Sequence, residues 1–137
     1  MTKATVVHTP ATEEMYTQLG IAEAVRRGNL IYISGQVGWD ETLTPAKGFA
    51  AQARQALNNM KAVLERAGGS GDDIIEMKAF IVKPQASESL MDPVGELFTI
   101  KREVFPTNVC AATAIGIKEL VNAELLVEIA AVAYVDE

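Results

Sequence analysis

Residues 125–135, "LLVEIAAVAYV", decide how this chain folds. The run alternates at period two, the spacing of a β-strand, with Leu125, Val127, Ile129, Ala131, Ala133 and Val135 on one face. Leu126, Glu128, Ala130, Val132 and Tyr134 make the other. Both faces are apolar, so both sides of the sheet holding this strand need cover. Glu128 interrupts the second face. An ionised carboxylate on an apolar face must be hydrogen-bonded, carry a raised pKa or look into a wet pocket, and each is compatible with chemistry. A structural carboxylate tying down a neighbouring strand, or a sheet-edge residue in water, is the plainer alternative.

Working backward, "VFPTNVCAATA" (104–114) reads as a strand launched from a proline, which puts Asn108 and Cys110 on one face. The loop "GIKELVNAE" joins these two closing strands. Helical spacing covers roughly 88–105, through Val94, Leu97, Phe98 and Lys101, with Pro93 near the first turn. "IIEMKAFIVKP" is a strand with Ile75, Met77, Ala79 and Ile81 on one side, ended by Pro84. Ala50, Ala53, Leu57, Met60, Leu64 and Ala67 mark an amphipathic helix stopped by Gly68-Gly69. "GGSGDD" is a loop, since no strand precedes its glycines and no Lys-Ser/Thr follows them. "EAVRRGNLIYISGQVG" is a hairpin turning near Gly28-Asn29, and "ATVVH" a short strand before it. Strands, helix, strand, helix and strands give an α+β plan, helices on one face of a mixed sheet. Two helices cover one side. The other is expected to meet copies of the same chain in a closed ring.

Composition narrows the function classes. The 137 residues, 49% hydrophobic and 22% charged, suit a single domain over 1–137 with a real core. A net charge of -6 without Lys/Arg runs argues against nucleic acid. One cysteine and one histidine exclude an internal disulfide and a Cys/His zinc site. No signal-type leader and no bilayer-length apolar run are visible, so a cytoplasmic protein away from membranes is expected. His8 reads as structural, and Met60, Met77 and Met91 as core. Trp39 reads as cover for a neighbouring subunit, and Cys110, read without context, as a small buried hydrophobe.

"GNLIYISGQVG", "AAQARQALNNMKAVLERAGG", "VFPTNVCAATA" and "LLVEIAAVAYV" resemble, in order and spacing, the reactive intermediate deaminase (YjgF-like) family, from about Gly20 to Tyr134. The resemblance implies a chorismate-mutase-like fold and a homotrimer with a small-molecule cleft between subunits. It implies hydrolysis of short-lived enamines and imines to ketones and ammonia, without metal or organic cofactor. It makes Glu128 the carboxylate that handles water, Cys110 a cleft residue, and Ser34 and Gly35 the segment touching the ligand. It also implies departures. An arginine that grips a substrate carboxylate is replaced by Asn108, a tyrosine near the hairpin by Ile21, and a polar contact on the second helix falls at Met91. Losing a charge-assisted, two-bond grip worth a few kcal/mol makes ordinary 2-imino acids poor candidates, unless Lys118 or another residue compensates. Three readings compete: a deaminase with a differently anchored substrate, a binding protein using the same cleft, and an endoribonuclease or translation inhibitor. Acidic charge and the lack of a His pair weigh against the last.

Overall fold

A computed structural model describes residues 4–136. Its sheet is ordered β1 (Thr5–Val7), β2 (Ala24–Arg27), β3 (Leu30–Val37), β6 (Val127–Tyr134), β4 (Ile74–Ile81), β5 (Ala111–Gly116). Only the β4–β5 pair is parallel, so the sheet is mixed. Arg27 pairs with Leu30 across Gly28-Asn29, and the positive φ of Gly28 (60°) is what a two-residue hairpin turn demands. β4 and β5, being parallel, are joined by a crossover carrying α3 (Met91–Val104).

α2 (Phe49–Arg66) and α3 cover one face of the sheet. Of the apolar stripe expected of α2, Ala50 in the first turn is exposed and Ala67 is the C-cap, while Ala53, Leu57, Met60 and Leu64 are wholly buried. They meet Ile31, Met77, Ile81, Val127 and Ile129 from the strands. Burying such side chains stabilises by about 1.5–3 kcal/mol each. Gln52, 2% exposed, ties α2 to the approach of β6. Its amide donates to the carbonyls of Ala46 and Glu124 and accepts from the N–H of Leu126. That fixes the register of β6 two residues before Glu128.

Four expectations need correction. Residues 13–19 form a short helix, α1 (Glu13–Leu19), closed by Gly20 in the left-handed region (φ 72°). It buries none of its residues, so no apolar period announces it. In β4 an irregularity between Ile74 and Glu76 puts Ile74 in the core (1% exposed) and leaves Ile75 half in water (49%). Met91 opens α3 in solvent and is not core. β5 begins at Ala111, so Asn108 and Cys110 precede the strand rather than share a face of it.

Candidate active site

The open sheet face and the approach to β5 hold the residues in question, in two groups. The first centres on Glu128, which stands on β6 opposite Val37 of β3 and Phe80 of β4. β3 breaks register between Ile33 and Gln36, and the bulge brings Gly35 beneath the carboxylate. A β-carbon on Gly35 would lie 2.2 Å from Oε2, 2.5 Å from Cδ and 2.7 Å from Cγ of Glu128. Only glycine leaves room for the acid. No described residue donates a hydrogen bond to Glu128, and burial raises its pKa.

Ser34 builds the wall beside it. Its hydroxyl donates to the Ala22 carbonyl at 2.7 Å and its N–H to the Glu23 carbonyl at 2.8 Å, fastening the bulge to the segment before β2. Ile21, exposed, follows Gly20 and donates its N–H to the carbonyl of Tyr16. Tyr16, on α1, is the functional candidate that sequence reasoning missed. Burial raises its phenol, and the charges of Glu23 and Glu128 raise it further, which puts it within electrostatic reach of both acids. Its ring lies 6.3 Å from that of His8, whose Nδ1 is buried without a partner.

The second group surrounds a cavity of about 260 Å³ walled by Phe98, Lys101, Arg102, Val109 and Cys110. Asn108 borders it, but its side chain is committed to the fold. The amide nitrogen donates to the carbonyls of Gly71 and Ile74, both at 2.9 Å, tying the 3-10 turn (Gly71–Asp73) to β4. The backbone carbonyl of Asn108 takes a 2.9 Å hydrogen bond from Nζ of Lys101, a buried lysine read from sequence only as part of a helical face. Burial pushes the Cys110 thiol up, and the Lys101 charge partly opposes this. The thiol therefore stays protonated at neutral pH.

One protomer does not unite the two groups. Glu128 lies level with Phe80 and Ile115, whereas Cys110 precedes the other end of β5, roughly 15–20 Å away by strand spacings. Met91 lies at the Glu128 end, where the neighbouring Leu90 packs on Gly116. Lys118 is exposed in the loop after β5, and Trp39 lines a cavity of its own protomer.

The mixed sheet thus has two helices on one face and carries Glu128 over the Gly35 bulge on the other, an architecture shared with known proteins. Residues 8–135 match the family model described as endoribonuclease L-PSP, and the chain belongs to this family of YjgF-like proteins. Among its relatives is the RutC family protein YjgH of Escherichia coli, 33% identical over 105 residues, 77% of this chain and 76% of that one. The 2-iminobutanoate/2-iminopropanoate deaminase of Salmonella typhimurium is 32% identical over 108 residues, 77% and 84% of the two chains. The solved structure of protein YJGH superposes with a TM-score of 0.81 at 31% identity, covering 99% of each chain.

Proposed function

We propose that this chain hydrolyses small imines or enamines to carbonyl compounds and ammonia, in a cleft completed between subunits of a homotrimer. One observation carries the reading: Glu128 is half-buried over Gly35, has no hydrogen-bond donor among the described residues and binds its proton more tightly than an ordinary carboxyl. Such a group can take a proton from water attacking a protonated imine carbon. It can then return the proton to nitrogen as the carbinolamine releases ammonia. The naming of related proteins as 2-iminobutanoate/2-iminopropanoate deaminases supports the same chemistry.

Assembly is part of the proposal. The open face exposes Tyr32 (55%), Ile115 (43%) and Tyr134 (45%), and Val109 beside Cys110 is 94% exposed. Packing a second copy there would cover apolar surface and bring its 108–110 segment toward Glu128. The commitment of Asn108 to Gly71 and Ile74 supports a substrate that no arginine-like fork holds at that position. A non-catalytic binding role for the same cleft is the second reading, favoured by the Asn108 and Ile21 replacements. The test is decay of neutral imines generated in situ by an amine oxidase, run beside 2-imino acids from an amino-acid oxidase, with Glu128→Gln as control and light scattering for the assembly. Faster decay than the control and a mass three times 14.7 kDa are expected. Decay equal to the control, or a monomer, ends the reading.

A further inference from the structure

A second cavity, of about 320 Å³, lies between residues 9–12, the loop after β3, and α2. It neighbours the Glu128 group but opens on the other side of the sheet: Gln36, which lines it, pairs with Ile129 of the covered face, whereas Glu128 points to the open one. Several acceptor atoms around it are left free. Glu23, 3% exposed, receives three hydrogen bonds on Oε1: from the Thr9 N–H (2.8 Å), the Thr9 hydroxyl (2.7 Å) and the Thr12 hydroxyl (2.6 Å). Its Oε2 has no donor among the described residues. Gln36, 4% exposed, commits its amide nitrogen to the Ser34 carbonyl at 3.1 Å, leaving Oε1 without a partner.

The amide orientations are forced. Asn59 donates to the carbonyls of Val37 and Trp39, both at 2.9 Å, so its oxygen is fixed as an acceptor. Gln55 must therefore donate to that oxygen, at 2.8 Å, and its own oxygen is left over. Asp40 and Glu41 add carboxylates, and among the described residues no lysine, arginine or histidine lines the cavity. A buried carboxylate with one oxygen lacking a donor and no cationic partner among the described residues is complementary to a positively charged donor. A metal ion fits poorly, because among the described residues no three His, Cys, Asp or Glu side chains converge. The indole of Trp39 offers an aromatic wall for an organic cation.

We propose that this cavity binds a small organic cation bearing an ammonium or guanidinium group, its N–H donors shared by Glu23 Oε2 and Gln36 Oε1 and its carbon chain against Trp39. The site does not depend on the deaminase reading. The test titrates the full chain with n-butylammonium and n-butylguanidinium, with n-butanol as the uncharged control. The readouts are fluorescence of Trp39, the sole tryptophan, and amide shifts of Thr9, Ala11 and Thr12. For ligands of so few atoms, saturable binding with a Kd on the order of millimolar is expected, with n-butanol about tenfold weaker or worse. Whichever cation binds more tightly names the head group. Glu23→Gln keeps the shape and an acceptor for the threonines, and should weaken the cations about tenfold. Ala62→Lys, at an exposed position of α2 on the cavity wall, places a tethered ammonium there and should abolish binding; it carries the test if Glu23→Gln fails to fold. Equal binding of butanol, no saturable response, or cation affinity unchanged in a folded variant would overturn the proposal.

Discussion

Gly35→Ala tests the site at its tightest contact. Gly35 does not have a positive φ, so its backbone accepts alanine, and the whole perturbation is the β-carbon placed 2.2–2.7 Å from three atoms of the Glu128 side chain. Contacts that short cannot persist, so the carboxyl group must leave by a rotamer change costing about 0.5–1.5 kcal/mol. Gly→Ala at a permissive position returns about 0.4–1 kcal/mol by restricting the unfolded chain. The two nearly cancel. The Tm should stay within roughly 5 °C of the parent protein for a chain of this size. Activity should not: displacing a reacting group by an ångström or more costs on the order of 100-fold. The assay is kcat/KM for imine decay beside a thermal melt. In a double-mutant cycle, Gly35→Ala should cost nothing further once Glu128 is glutamine, because both changes remove the same carboxylate. Near-parental kcat/KM in Gly35→Ala, or full additivity in the cycle, would refute the role given to Glu128.

Other predictions follow from the same contacts. Asn108→Asp puts an acceptor against the Gly71 and Ile74 carbonyls, so it should lower the Tm by about 10 °C or more, at least as much as Asn108→Ala; a smaller loss than alanine in melting experiments would show that the amide is not a donor there. Glu128 has a raised folded-state pKa, so its contribution to stability is full below its ordinary value of 4.5 and is lost as pH rises through the folded value. Glu128→Gln should therefore melt higher than the parent near pH 8, with the gap closing by about pH 4, and a gap that widens toward acid would contradict this. Alkylation of Cys110 by iodoacetamide should be slow at neutral pH and accelerate only in alkali, and Lys101→Met should slow it further. Fast alkylation at pH 7 would show a thiolate.

Much of this architecture is written as period. β6 and α2 were legible because one face of each is buried continuously, and alternation at two or at three to four is what continuous burial requires. Glu128 stood out for the same reason, as a polar break in a clean pattern. α1 was not legible, because a seven-residue helix that buries nothing carries no period, and Tyr16 went unread with it. The Ile74/Ile75 inversion comes from a bulge, which shifts every residue on one side of it by one place without marking the sequence. Lys101 looked like an ordinary helix residue because its partner is a backbone carbonyl, invisible to residue type. Asn108 was read as sharing a face with Cys110 on a strand that in fact starts at Ala111, three residues later.

The order of the sheet has a bearing on how the molecule comes into being. β6 lies at the centre, between β3 and β4, yet it is the last of the six strands to be synthesised. Until it emerges, the N-terminal hairpin and the β4–α3–β5 unit have no strand to join them, and α2 has half a surface to rest on. Contacts of such long sequence separation form late and slowly. A nascent chain halted before residue 127 should therefore lack the joined six-stranded sheet, and the one acid on which turnover is proposed to depend enters on the strand that closes the structure.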